Sequence, residues 1–205
     1  MKRMVLMMAT LGVWAALGAT LPSGYTEIEY VQSSGKQYVD TGIIGRSGLE
    51  FELDVMPLNT SNDTVGMGSR NGTNGRFYVF AVASNKMRYG YADQNGASTI
   101  AVSPNVRYRG IRTVLHVGEQ SISWNGQTYS RTSTTSVSTG RNMNIFSCNN
   151  NSSDSATSMR FYNIKIFEGG TPLANFVPCR RDADNLLGFY DTVRNNFYVN
   201  ATATP

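Results

Sequence analysis

Glu50, Glu52 and Asp54 are the residues of this chain whose types and spacing come closest to chemistry. They alternate with Leu49, Phe51, Leu53 and Val55, the period of a half-buried strand, so the three carboxylates share one face. Glycoside cleavage needs two carboxyl groups on one surface, one as acid or base and, in retaining enzymes, the other as nucleophile about 5–5.5 Å away. Same-face neighbours on a strand stand roughly 6.5–7 Å apart along the backbone, so their side chains can reach that separation. A solvated strand face accounts for the same three residues without chemistry, and it is the reading favoured here.

The other reactive types are sparse. His116 is the sole histidine, and within Arg112-Thr113-Val114-Leu115-His116-Val117 it reads as a polar strand residue, with no Ser-His-Asp arrangement around it. Cys148 and Cys179 are the only cysteines. A disulfide between them and two separate buried thiols are both open readings; the link would close a loop of about 30 residues, worth roughly 3–4 kcal/mol in the chain-entropy model. Their spacing does not resemble a zinc site.

Aromatic residues supply a binding hypothesis. Tyr78, Tyr89, Tyr91, Tyr108, Trp124 and Tyr129 lie in or beside the middle strands. The C–H faces of sugars stack on such rings while Asn, Asp and Arg satisfy hydroxyl groups, the mixed apolar and polar character of a ligand site. Core packing is the favoured reading for most of these rings, since Tyr89 and Tyr91 share a strand face with Met87, and Tyr78 shares one with Phe80 and Val82. Trp124 stands beside the Asn125-Gly126 turn, where a hairpin end usually meets solvent, so it is the first choice for a stacking ring, followed by Tyr89, Tyr91 and Tyr78.

The elements that must position these residues are strands. Extended segments are expected over 25–32, 37–40, 48–56, 64–69, 76–83, 86–91, 99–103, 110–117 and 121–124. Asn125-Gly126 closes a tight hairpin into 127–129, because both positions accept positive φ. Residues 131–140 read as a loop or loose edge strand, and further strands follow over 142–148, 160–167, 173–177, 186–190 and 196–199, with Pro178 ending the third of these five. In 160–167 both faces carry large apolar groups, which marks a central strand. No heptad, amphipathic helix or internal repeat interrupts the series, and its 8–12-residue spacing points to a sandwich.

Residues 1–19 stand apart from this pattern. Lys2 and Arg3 precede the uncharged apolar run 4–17, and small residues follow, so a secretory leader cut after Gly18 or Ala19 is expected, with a single domain over 20–205. No cysteine follows the run, which removes a lipoprotein, and no later segment is apolar enough to cross a bilayer. Loss of Lys2 and Arg3 lowers the formal charge from +4 to +2. The remaining basic residues are scattered, with Arg180-Arg181 the only adjacent pair, so a nucleic-acid surface is excluded.

Leu21-Pro22-Ser23-Gly24-Tyr25 and Tyr38-Val39-Asp40-Thr41-Gly42 open the chain after the leader, and KIFEGGTPLANFVPCR, LLGFYD and NNFYVNA close it. These phrases resemble bacterial and phage-associated LamG-like domains of the concanavalin A-like lectin/glucanase group, bracketing residues 21–201. The resemblance implies an all-β, two-sheet antiparallel jelly-roll sandwich; the functions of the group range too widely to carry over. It also makes calcium a possible cofactor, with loop oxygens available from Asp40, Asp63, Asp93, Asp154, Asp182, Asp184 and Asp191, although no EF-hand spacing is present. Glucanases of related fold order their acids Glu-x-Asp-x-(x)-Glu, whereas this chain has Glu-x-Glu-x-Asp followed by Met56-Pro57. The expected function is therefore an exported noncatalytic binding or adhesion module with glycans or a cell-surface protein as partner. The alternatives are a glycoside-cleaving enzyme and a structural module that contacts other proteins.

Overall fold

The computed structural model describes residues 20–58, 64–71, 75–83, 86–93, 100–102, 109–124, 126–130, 136–150 and 157–201. In the first half of the chain the strands are β1 (Tyr25–Glu27), β2 (Val31–Ser34), β3 (Val39–Arg46), β4 (Leu49–Pro57), β5 (Thr64–Asn71), β6 (Gly75–Ala83), β7 (Lys86–Asp93) and β8 (Ile100–Val102). There follow β9 (Thr113–Val117), β10 (Ser121–Trp124), β11 (Gln127–Ser130), β12 (Ser138–Ile145), β13 (Cys148–Asn149), β14 (Ser158–Glu168), β15 (Thr171–Arg181), β16 (Leu187–Asp191) and β17 (Asn196–Val199). The larger sheet runs β11-β10-β9-β4-β14-β15-β16-β17, with β1 added to β15 and β2 to β14. The smaller runs β3-β12-β5-β6-β7-β8, with the short β13 lying parallel to β5. The chain is thus the all-β, two-sheet jelly-roll sandwich that the resemblance implies.

Alternation decides which side chains fill the space between the sheets. On β4, Leu49, Phe51, Leu53, Val55 and Pro57 are buried, while the residues between them face outward. From the larger sheet Phe161, Ile164, Ile166, Phe176 and Phe189 join them; from the smaller come Met67, Phe77, Val79, Met143 and Ile145, all in one contiguous core. Phe51 and Phe77 meet across the layers with ring centres 5.9 Å apart. Phe146, at positive φ after β12, turns its ring to Phe161 at 5.2 Å and Phe189 at 6.2 Å. Left-handed backbone at a non-glycine residue costs of order 1–3 kcal/mol and persists where surrounding contacts hold it.

The opening and closing phrases of the chain pack on each other. Tyr25 pairs with Arg181, its ring lies 4.8 Å from that of Tyr190 and 5.2 Å from that of Phe197, and the Asp182 amide donates to the Gly24 carbonyl at 2.9 Å. In the second phrase, Asp40 Oδ1 accepts from the Gly42 amide at 2.8 Å, and the buried Thr41 hydroxyl donates to the Met143 carbonyl at 2.8 Å. Gly42 has φ +66°, and a Cβ there would stand 3.5 Å from Arg194 Nη1.

Several elements differ from expectation for identifiable reasons. The single strand expected over 25–32 divides into β1 and β2 because the chain steps from β15 to β14 as its partner. The strand expected to end at residue 40 continues to Arg46 as β3, since Thr41 and Gly45 take inward positions beside Val39 and Ile43. Pro178 does not end its strand. Its carbonyl accepts from Ile28 N at 3.1 Å, so its missing N–H faces the same side, between the end of the β14 ladder at Phe176 and the start of β1 at Cys179. Residues 131–135 lie outside the described residues, and 138–140 belong to β12.

Candidate functional site on the outer face of the larger sheet

The carboxylates of β4 emerge on the outer face of the larger sheet, and register assembles a polar row around them. Thr128 pairs with Ser123, Ser123 with His116, His116 with Glu52, Glu52 with Lys165, and Lys165 with Asn175. One side chain from each of six neighbouring strands thus contributes to a line across the sheet. The Ser123 and Thr128 hydroxyls are 2.8 Å apart. Lys165 Nζ donates to Glu52 Oε1 at 2.6 Å, and His116 Nδ1 stands 3.8 Å from Glu52 Oε2.

Beside this row sits a second assembly. Arg112 donates from Nε to Asp54 Oδ1 at 2.9 Å and from Nη2 to Oδ2 at 2.8 Å, a bidentate pair. Its guanidinium lies 3.8 Å from the centre of the Tyr162 ring; Tyr162 meets Tyr30 edge-on at 5.5 Å, and Arg160 covers Tyr30 at 4.2 Å. The bond to Asp54 raises the Arg112 pKa further above its already high ordinary value, with burial opposing. Tyr162 is available because β14 carries a bulge. Phe161 pairs with Val55 and Asn163 with Asp54, leaving Tyr162 as the extra residue, turned toward Met56, Tyr30 and Arg112.

Two depressions open on this face. One of about 520 Å³ is lined by Asp54, Arg112, Val114, His116, Ser123 and Trp124 among others. The other, about 250 Å³, is lined by Glu50, Glu52, His116, Ser121, Ser123 and Phe167 among others. His116 and Ser123 belong to both, so the two form one broken groove along the polar row. Its walls offer carboxylates as acceptors, guanidinium as donor, and hydroxyl and imidazole groups that do either.

The acidic strand and His116, read separately in the sequence, are therefore neighbours. Glu52 is engaged by Lys165 and Asp54 by Arg112, so neither stands as a bare acid or base. Trp124 departs from expectation. The β10 alternation sends Ile122 and Trp124 inward and Ser121 and Ser123 outward, and the indole is only 3% exposed despite its place at the hairpin end. It closes the groove from below and offers no open ring face. Tyr78, Tyr89 and Tyr91 occupy β6 and β7 of the other sheet, and their side chains, like residue Tyr108, lie outside the described residues. Tyr129 is half-buried against the core and donates from its hydroxyl to Gln127 Oε1 at 2.7 Å.

The cysteines are not joined. Cys148 lies on β13 of the smaller sheet, packed with Val65, and Cys179 on β15 of the larger, so each is a buried thiol in its own layer. Burial pushes the Cys179 thiol up to about 11, with Asp182 and Glu27 adding to the effect and a backbone hydrogen bond from Tyr190 opposing it.

Of the aspartates with possible calcium oxygens, Asp184 accepts both ends of Arg181 at 3.0 and 2.6 Å, and Asp191 accepts from the Asn175 and Val193 amides and from Arg194. Asp182 accepts from the Thr26 hydroxyl at 2.7 Å. Asp63, Asp154 and the Asp93 side chain lie outside the described residues. Among the described residues no three His, Cys, Asp or Glu side chains gather as metal ligands, and no helix is long and apolar enough to cross a membrane.

Arg112, Tyr162, Tyr30 and Lys165 were not evident as site residues in the sequence. Alternation marks Lys165 as outward, but its pairing with Glu52 spans 113 positions and depends on register.

No protein-family model matches the chain, and no curated protein matches it. Among solved structures it is similar to domains LG4-5 of the mouse laminin alpha1 chain, at 14% identity and a TM-score of 0.45, covering 73% of this chain and 42% of that one. It is also similar to a mutant of Trypanosoma rangeli sialidase displaying trans-sialidase activity, at 12% identity and a TM-score of 0.43, covering 61% of this chain and 21% of that one. In each case the match spans less than half of the other chain.

Proposed function

We propose that this protein is an exported, noncatalytic binding or adhesion module whose ligand, a glycan, lies in the groove on the outer face of the larger sheet. The observation that carries the reading is the polar row from Thr128 to Asn175, which bounds open depressions with closely spaced donors and acceptors. A ligand rich in hydroxyl groups uses both kinds of partner at every position, and lateral strand spacing of about 4.8 Å sets such groups at regular intervals. Export rests on Lys2, Arg3 and the apolar run 4–17.

A glycan array, followed by calorimetry on its hits, tests binding. The parent protein should bind, and a His116→Ala, Ser123→Ala double variant should lose about tenfold or more in affinity with its melting temperature unchanged. An array without hits would overturn the glycan reading. Cleavage of β-glucans that disappears in Glu52→Gln would replace it with the enzyme reading. Mass spectrometry of secreted protein should find an N-terminus at Ala19 or Thr20.

A further inference from the structure

Resting on that glycan reading, we infer that the groove selects uncharged glycans, and that the Arg112–Asp54 pair is the element that reads them, by taking two adjacent hydroxyl groups. Charge on the face is the first argument. Among the described residues the groove and its polar row hold three carboxylates, Glu50, Glu52 and Asp54, against two permanent cations, Arg112 and Lys165. Both cations are already committed, Arg112 to Asp54 at 2.8 Å and Lys165 to Glu52 at 2.6 Å. A carboxylated or sulfated sugar entering the groove meets an excess of negative charge, and it gains a cation only by taking one from its present partner. His116 adds a positive charge only when protonated.

The geometry of the pair is the second argument. Arg112 gives Nε and Nη2 to Asp54, while Nη1 has Glu29 Oε1 at 3.9 Å, beyond hydrogen-bond distance. Its Nη1 hydrogens are thus left for a ligand. Each Asp54 oxygen takes one N–H from Arg112 and keeps acceptor capacity on its other lone pair. Donors and acceptors therefore lie side by side with no net charge, which matches a vicinal diol, where one hydroxyl accepts and its neighbour donates.

Rigidity is the third. The Arg112 guanidinium is clamped between Asp54 and the face of Tyr162, and Tyr162 is braced in turn by Tyr30 under Arg160. A side chain that would otherwise lose rotamer freedom on binding is already ordered, so less of its hydrogen-bond energy is lost.

The experiment places neutral oligosaccharides, uronic-acid, sialylated and sulfated oligosaccharides, and a cationic glucosamine oligomer on one array, with calorimetry at about 50 and 500 mM salt on the hits. Neutral glycans alone should bind, with affinity nearly independent of salt. Arg112→Met, which removes the guanidinium and keeps an unbranched apolar side chain, should weaken them by about tenfold to a hundredfold with the folded state retained in thermal denaturation. Glu50→Lys should admit acidic oligosaccharides that the parent rejects. Acidic or cationic glycans among the parent's hits would overturn the selectivity while leaving glycan binding intact. Neutral binding that survives Arg112→Met would overturn the role of the pair. No hit of any class would remove the glycan reading and this inference with it.

Discussion

The two ends of the larger sheet are held together in opposite ways. At the β15–β17 end, with β1 laid alongside, polar groups are buried and spent on the backbone. Asp191 is fully buried and gathers the Asn175 amide, the Val193 amide and Arg194, while Arg194 lies 5.4 Å from the Phe176 ring centre and 5.1 Å from that of Tyr198. At the β9–β4 end, charged groups stand at the surface and bond to each other across strands. The first arrangement builds the fold; the second leaves a face with donors and acceptors directed at solvent. Most of the phrases that carry the resemblance belong to the first, with residues 38–42 leading into β3 of the smaller sheet and only 165–167 reaching the second. This is why they identify an architecture and leave the ligand open.

Substitutions at the two ends should separate on that basis. Asp191→Ala should have the largest effect, about 3–5 kcal/mol in urea denaturation, because two backbone amides and a partly buried guanidinium lose their acceptor together. Ligand affinity measured well below the melting temperature should be unchanged in that variant. If affinity fell as well, the two ends would be coupled and the division would fail.

Cys179 sharpens the comparison through pH. Its folded pKa is raised to about 11, so the stability it contributes is fully present below the ordinary thiol value, about 8.5, and is lost as pH rises through 11. Denaturation midpoints should fall across that window by an amount equivalent to up to about 3 kcal/mol, and Cys179→Ala should flatten the slope. An equal slope in the variant would assign the alkaline loss to other groups. Lys165→Met, at the exposed end, should change stability least, by about 0.2–1 kcal/mol, as expected of an exposed ion pair. A loss of several kcal/mol there would mean that the outer row supports the fold.

Much of the architecture was legible along the chain, because alternation is a local property. The burial of β4, β9 and β10 follows their apolar and polar residues one by one. Expectation and structure part where a position's surroundings are set by distant strands. The neighbouring Asn125 and Gly126 point Trp124 to the surface, but the parity of β10 places it in the core. Cys148 and Cys179 could be paired on paper only because nothing local places them in separate sheets. The candidate site has the same limitation. Glu52 and His116 were both visible, yet the register that makes them neighbours, and adds Lys165 and Arg112, involves strands 58 to 113 positions apart.

The bulge at Tyr162 adds one residue to β14 that the ladder on β4 does not count. Before it, the odd-numbered residues Met159 and Phe161 face the core; after it, the even-numbered Ile164 and Ile166 do. The strand changes parity once. Removing Tyr162 would leave Phe161, Asn163 and Ile164 in plain alternation against Val55, Asp54 and Leu53, so the core would keep its ladder while the groove lost the ring that lies against Arg112. The extra residue thus serves the groove beside Arg112 and not the core beneath Ile164, whose alternation against β4 does not depend on it.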